Sequence, residues 1–286
     1  VGGVHVTNNL DVGGIVTTGK DAMIHGLTIG RGGGSSNTNS VLGGSALSNN
    51  TTGTYNSAIG FNALATNTVG MFNSAFGYKS LYANTIGLEN TAIGRSSLRN
   101  NTTGSYNTAV GRGSLFTNIV GSANVAVGVN ALFYAVGNNN TAVGTSALES
   151  NTTNNNNAFG YQALKANTVG IYNTAVGYLS LTANTIGNLN SAFGNSSLRY
   201  NTTGIQNTAA GHQSLYTNTI GYNNNAFGYR SLLFNTTGNN NSAFGYYSLR
   251  NNTIGVRNVA IGNRSLRANT TGNYNTAVGY ESLASS

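Results

Sequence analysis

A repeat of seventeen residues runs from near Asn39 to the C-terminus and limits what this chain can fold into. Each repeat contains one glycine that follows a small and an apolar residue, here position 0, and consecutive glycines of this kind lie seventeen residues apart except in two steps of sixteen. A short fixed period is typical of stacked architectures, in which each unit buries its apolar face only against its neighbours. The period therefore predicts a rod, and argues against a globular enzyme with one pocket. The fifteen glycines are Gly43, Gly60, Gly77, Gly94, Gly111, Gly128, Gly144, Gly160, Gly177, Gly194, Gly211, Gly228, Gly245, Gly262 and Gly279.

Four other positions of the repeat are nearly constant. Asn stands at position −4 and Leu at position +4 of every repeat, Ala stands at −2 except at Val41, and the residue at −1 is always apolar. Asn, Thr and Gly are poor helix formers and favour turns or strands. The segment N-T-A-V-G alternates small and apolar residues with the period of two that a strand requires. Short strands that end at glycines are therefore expected.

These patterns predict an all-β fold, a parallel β-solenoid of about fifteen coils over residues 37–286, preceded by an N-terminal β connector or cap over residues 1–36. We expect two strands per coil, one in N-T-A-V-G and a second that holds either the Leu or the Ile, Val or Thr of N-T-[TIV]-G. Two large apolar groups per coil, the Leu and the residue at −1, should be buried, and the glycines should supply corners with positive φ. The sixteen-residue steps should be loop deletions, one after Leu132 and one between Asn154 and Gly160.

The constant Asn and Leu positions predict an internal ladder. Identical amides one strand spacing apart can hydrogen-bond along a stack, and identical Leu side chains can form a continuous apolar column. The members of this structural ladder include Asn56, Asn73, Asn90, Asn107, Leu64, Leu81, Leu98 and Leu115.

Composition argues against several classes of function. The chain has no Cys, only five acidic residues, none of them at a repeated position, and three widely separated His, so we expect no enzyme, cofactor or metal site. No apolar run is long enough to suggest membrane insertion. The net charge is +8, but the basic residues are too sparse for a groove that tracks phosphates, so no nucleic acid is expected as a partner.

The repeat N-T-A-V-G-x-x-S-L-x-x-N-T-T-G resembles the arrays of phage tail fibres and other fibrous surface proteins, which often precede an endosialidase-type intramolecular chaperone. The lead-in from Asp21 to Arg31 is similar to the segment that commonly precedes such arrays. The element S/T-x-A-[VI]-G also resembles the head repeat of trimeric autotransporter adhesins, although that repeat is shorter and lacks the Leu. The resemblance implies a trimeric β-roll at a virion or cell surface.

Aromatic and basic residues share the position after the glycine and form a candidate surface-binding ridge. Tyr and Arg offer flat apolar area with polar tips, so a ridge of this kind could stack on sugar rings of a surface polysaccharide or receptor. The competing interpretation is that Tyr covers the edge of the coil and Arg keeps the rod soluble. The candidate residues are Phe61, Tyr78, Arg95, Arg112, Tyr161, Tyr178, Tyr229, Tyr246 and Tyr280.

The expected function is a structural fibre segment for extension and attachment to a cell surface, as in a phage tail fibre or surface adhesin, located outside the cell or on a virion. A homotrimer is expected because the small Asn, Ala and Gly side chains would let chains approach closely. One alternative is an extracellular filament that self-associates end to end through open strand edges. Another is ice binding by the column that contains Thr51, Thr85, Thr185 and Thr219.

Overall fold

The computed structural model describes residues 21–24, 26–34 and 36–285, and every regular element in these ranges is a β-strand. These ranges contain seventeen strands, and all but the first two are three-residue segments that end just before a repeat glycine. They are β1 (Ala22–Ile24), β2 (Leu27–Gly30), β3 (Ser40–Leu42), β4 (Ser57–Ile59), β5 (Ser74–Phe76), β6 (Thr91–Ile93), β7 (Thr108–Val110), β8 (Val125–Val127), β9 (Thr141–Val143), β10 (Asn157–Phe159), β11 (Thr174–Val176), β12 (Ser191–Phe193), β13 (Thr208–Ala210), β14 (Asn225–Phe227), β15 (Ser242–Phe244), β16 (Val259–Ile261) and β17 (Thr276–Val278).

The strands β3 to β17 form one parallel sheet in perfect repeat register. Each strand pairs with the equivalent strand of the next coil, as Ala58 pairs with Ala75 and Ile59 with Phe76. At the N-terminal end, β1 and β2 form an antiparallel pair, and β2 lies antiparallel to β3. The prediction of an all-β parallel solenoid with coils of about seventeen residues is confirmed.

Each coil contains one strand, so the prediction of a second strand is wrong. In the N-T-[TIV]-G segment, the N–H groups of Thr68, Val69 and Gly70 all approach the carbonyl oxygen of Thr85 in the next coil, at 3.0, 3.2 and 3.2 Å. A strand ladder would distribute successive donors over alternating partners. The segment instead forms a turn that is held to its neighbour through a single acceptor.

The fully buried large apolar side chain of each coil is the Leu at position +4, from Leu47 to Leu266. Leu64, Leu81 and Leu98 are fully buried, together with the Ala residues at −2. The residue at −1 points outward, and Ile59 and Phe193 are 41% and 43% exposed. The prediction of two buried apolar columns is therefore wrong for position −1. Strand alternation turns Ala inward, so both of its neighbours face out.

Two columns of buried Asn run the length of the interior. At position −4, the Oδ1 of Asn56 accepts hydrogen bonds from both the backbone N–H and the Nδ2 of Asn73, at 3.0 and 3.2 Å. The Oδ1 of Asn73 accepts from the same two groups of Asn90. At position +7, Nδ2 of Asn67 donates to Oδ1 of Asn50 at 2.9 Å. Within one coil, Asn56 and Asn67 both donate to the carbonyl oxygen of Gly70. The amides therefore join the coils and also fix the shape of each coil.

Among the described residues, the +7 column has one gap, in the first sixteen-residue coil. Ala135 occupies the buried position that Asn takes in the neighbouring coils. Because Ala135 has no amide, the Oδ1 of Asn118 is buried without a hydrogen-bond partner. In the second short coil, Nδ2 of Asn151 bonds the carbonyl of Thr153, two residues on rather than three, so this deletion lies before Asn154 and not after it as expected.

The substitution Ala135→Asn should repair the gap. A new Nδ2 facing Oδ1 of Asn118 would satisfy a buried acceptor, so we expect the free energy of local opening to rise by about 1 kcal/mol in native-state hydrogen exchange. The gain should vanish in the double variant Asn118→Ala/Ala135→Asn, where the partner is missing. A gain that survives in the double variant, or a loss in the single one, would show that the ladder does not stabilise the stack.

The two glycine columns serve different purposes. The glycines at position 0 have φ between +124° and +153°, and so form the expected corner of each coil. At position +10, Gly70 has no positive φ, but a Cβ there would collide with Oδ1 of Asn67 and the carbonyl of Gly87. This second glycine is needed for close approach to the amide ladder, and not for a turn.

The segment before the array covers the first coil. The carboxylate of Asp21 accepts the N–H groups of Arg31 and Gly32 at 2.6 and 2.7 Å, which fixes the loop after β2. The N–H of Gly33 then donates to the carbonyl of Leu47 at 2.8 Å, and Gly32 leaves no room for a Cβ over the Leu47 side chain. The lead-in therefore closes the N-terminal end of the Leu column. Residues 1–20 of the predicted connector lie outside the described residues.

Candidate functional site

The candidate ridge residues share one straight column on the outside of the rod. We call the side chains at position +1, from Phe61 to Tyr280, the aromatic ridge. Rings in adjacent coils stack on each other, with centroids 6.0 Å apart for Phe61 and Tyr78 and 5.4 Å for Tyr161 and Tyr178. Tyr229 stacks on both His212 and Tyr246 at 5.3 Å. The prediction grouped these residues by sequence position, and the parallel register brings them into line.

Stacking changes what the ridge can bind. The planes of stacked ridge rings differ by only 10–13°, so the rings lie face to face along the rod axis. A ring inside a run uses both faces for its neighbours and presents its edge outward, with a hydroxyl group where the ring is Tyr. A ligand can therefore stack only where a run ends. Arg95 and Arg112 end the run that begins at Phe61, and Tyr280 is 71% exposed in the last coil.

Other basic residues lie beside the ridge, at positions +2 and +5. Nζ of Lys79 is 5.3 Å from the ring centre of Tyr78, and the guanidinium of Arg230 is 5.0 Å from that of Tyr229. At +5, Arg199 lies over the ring of Tyr216 at 6.0 Å. Cations at these distances are attracted by the ring quadrupole. Three adjacent columns thus form one cationic and aromatic surface.

Two tyrosines of this surface differ in acidity. Hydrogen bonds from Tyr246 and from Arg230 lower the pKa of Tyr247, because both donors stabilise the phenolate. The same contact with Tyr247 raises the pKa of Tyr246. The rings of the pair meet edge to face, with centroids 4.2 Å apart.

A second outward surface was missed by sequence reasoning. We call the side chains at −3 and −1 of β3 to β17 the strand face. It carries Ser, Thr, Asn or Val at −3 and apolar residues at −1, and no charged residue in fifteen strands. Phe227 and Phe244 stack here at 5.1 Å. The signal that could have revealed this face is the constant Ala, because only a small side chain fits inside so narrow a coil.

The Thr hydroxyls of the column proposed for ice binding donate hydrogen bonds to backbone carbonyls. The hydroxyl of Thr51 donates to the carbonyl of Thr68 at 2.8 Å, and Thr85, Thr185 and Thr219 make the equivalent bond at 3.1 to 3.2 Å. These hydroxyl protons are therefore used to join coils.

No three His, Asp or Glu side chains of the described residues are grouped so that they could hold a metal ion. Nor does that part of the chain contain a helix with the length and apolar character to cross a membrane. Comparisons with protein-family models, curated proteins and solved structures find no match to this chain. Any functional argument must therefore come from its own geometry.

Proposed function

We propose that this chain is a non-enzymatic structural fibre segment, which provides extension and attachment to a cell surface as phage tail fibres and surface adhesins do. The observation that carries the proposal is the unbroken stack, in which backbone and Asn hydrogen bonds join each of the fifteen parallel coils to the next. At one strand spacing per coil, the array is about 70 Å long. Such a rod suits spacing and presentation, and its place is outside the cell or on a virion.

We further propose that three copies assemble along the strand face. The original reason for a trimer, close approach of the Asn and Ala side chains, does not hold because these side chains lie inside the coil. The strand face supports the trimer instead, because it is uncharged and leaves apolar side chains such as Phe244 about two-fifths exposed. A strip about 70 Å long and 10 Å wide offers roughly 700 Å² per chain, close to the area that one partner buries in a stable complex.

Light scattering tests the assembly. The unmodified chain should have a solution mass of three times 29.4 kDa. The double substitution Phe227→Lys/Phe244→Lys should shift the mass toward that of a single chain, because assembly would bury two Lys charges from every copy. The control is Tyr106→Lys/Tyr172→Lys, which changes exposed aromatics at position −5, outside the strand face. A mass of 29.4 kDa for the unmodified chain would contradict the trimer.

Two alternatives are separated by simple measurements. An end-to-end filament would give a very large and polydisperse mass in the same light-scattering experiment. Ice binding would give thermal hysteresis, but the geometry offers it little support. The hydroxyl protons of the Thr column are used by carbonyl groups, and Phe residues interrupt Val and Ile at position −1 of the strand face.

A further inference from the structure

At Asn195 the aromatic ridge lacks a ring, although rings flank this position on both sides. The ridge runs Tyr161, Tyr178, Asn195, His212 and Tyr229 in successive coils. Stacked neighbours in this run are 5.3 to 5.4 Å apart, so Tyr178 and His212, two coils apart, are separated by about twice that distance. The gap over Asn195 therefore has the width of one ring at the spacing of the occupied positions.

The gap is open and has a polar floor. Asn195 and Tyr178 are both exposed, and His212 is half-buried, with its Nδ1 covered and without a hydrogen-bond partner. Ser196, the next residue, is small and buried, so the +2 side chain of this coil does not fill the space. The Ser196 hydroxyl donates to Oδ1 of Asn195 at 2.8 Å. This bond orients the amide and leaves its Nδ2 with no partner among the described residues. The Nδ2 donor of Asn195 thus lies between the rings of Tyr178 and His212, and no other ring stacks on the sides of these rings that face the gap.

The charge around the gap is of one sign. Between Glu149 and Glu281 the chain has seven basic residues and no acidic residue. Arg199, in the same coil as Asn195, lies against the rings of Tyr200 and Tyr216 on the neighbouring surface. An anionic ligand is favoured at such a surface over distances of about a Debye length, roughly 8–10 Å.

We propose that the gap over Asn195 is a binding slot for one pyranose ring of an acidic polysaccharide. The C–H faces of the sugar would pack on Tyr178 and His212, as amphipathic rings pack on aromatic faces. Nδ2 of Asn195 would donate to a hydroxyl or carboxylate oxygen. The inference rests on the proposed attachment function and names its ligand class and its site.

A nucleic acid fits these observations less well. Single-stranded nucleic acids use platforms on which successive bases stack, together with a basic groove that follows the backbone. Here an isolated slot takes one ring, and the next place of the same kind is at Asn263, four coils away between Tyr246 and Tyr280. Beside that second place, Arg264 is paired with Glu281 at 2.8 Å, so its charge is neutralised. The slot over Asn195 is therefore the one expected to select an acidic sugar.

The substitution Asn195→Tyr tests the slot by filling it. A tyrosine there would join the two ring runs and should leave the thermal unfolding of the full chain unchanged or raised. Titration with a fluorescent hexasaccharide of hyaluronan should show binding to the unmodified chain and a loss of about tenfold or more in Asn195→Tyr, as expected for losing a stacked ring. Asn195→Ala, which keeps the slot open, should lose far less, and Tyr172→Ala at position −5 should lose nothing.

The outcomes separate the slot from the wider function. Unchanged affinity in Asn195→Tyr would overturn the slot while leaving attachment through another surface in place. Equal binding of maltohexaose, a neutral sugar, would overturn the preference for an acidic ring. Stronger binding of a single-stranded hexanucleotide would replace the proposal with nucleic-acid binding, and no binding of any of these probes would overturn the slot. The fibre assembly is tested independently by its mass.

Discussion

The substitution Leu198→Ala should weaken the middle of the array by about 2–5 kcal/mol, the usual cost of removing a buried Leu side chain and leaving a cavity. Leu198 is fully buried and is the one large apolar side chain inside its coil. The loss should be local, because each coil contacts only its neighbours. Native-state hydrogen exchange should detect it at the N–H groups of Leu181 and Leu198, which donate to carbonyls of the next coils at 3.0 Å.

The matched control is Phe193→Ala in the same coil. Phe193 is larger than Leu198 but 43% exposed on the strand face. Its truncation should cost the single chain about 1 kcal/mol, clearly less than Leu198→Ala, since more than two-fifths of the residue stays in water and no closed cavity forms. If three chains pack on the strand face, Phe193→Ala should cost more in the assembly, and that extra cost should fall on dilution. If Leu198→Ala and Phe193→Ala lowered the stability of the dilute single chain equally, the assignment of Leu198 to the interior and of Phe193 to the outside would be contradicted.

The repeat period predicts the architecture because stacking demands it. A constant Leu and a constant Asn in every repeat require equivalent environments, and equivalent environments every seventeen residues require coils in register. The register observed for Ala58 and Ala75 follows directly. The candidate ridge is predictable for the same reason, since any residue type that recurs at one position becomes a column.

The alternation of residues alone does not predict which side of each strand faces the interior of the coil. Alternation states that Ala58 and Ile59 lie on opposite faces, but not which face is inside. The usual preference for burying the larger apolar residue predicts Ile59 inside, and the structure shows the reverse. Two Asn columns and one Leu column already fill the coil, so only Ala fits beside them.

The left-handed backbone conformation of several residues in each coil was also not predicted, although the sequence contains a signal for it. Residues at positions +2, +4 and −5 adopt left-handed φ values, between 48° and 61°, as Leu64, Lys79 and Tyr106 show. Val, Ile and Thr are strongly disfavoured in this region because they branch at Cβ. None of the described non-glycine residues with positive φ is Val, Ile or Thr. This explains why position +4 is always Leu and never an isomer of similar size.

Asn190→Ala should cost about 2–4 kcal/mol, because a buried backbone donor then loses its partner and a small cavity forms. Oδ1 of Asn190 accepts the backbone N–H of Asn207 at 3.0 Å, and its Nδ2 donates to the carbonyl of Gly204 at 2.8 Å. Local hydrogen exchange at the N–H of Asn207 measures the loss directly. Asn240→Ala, at an exposed position without a side-chain hydrogen bond, should cost less than about 1 kcal/mol.

Asn190→Asp separates the hydrogen bonds of the amide from its shape. An aspartate here is nearly isosteric but is buried among acceptor and donor groups, so desolvation should raise the pKa of the carboxyl above its unfolded value of about 3.9. The folded state then binds a proton more tightly than the unfolded state does. Stability should therefore be close to that of the unmodified chain below about pH 4, and fall as the pH rises through the raised pKa. The protonated acid can still donate to the Gly204 carbonyl while it accepts from Asn207, whereas the ionised form accepts from Asn207 but has no proton to donate to Gly204. A stability difference that does not change with pH would show that the amide ladder contributes only by filling space.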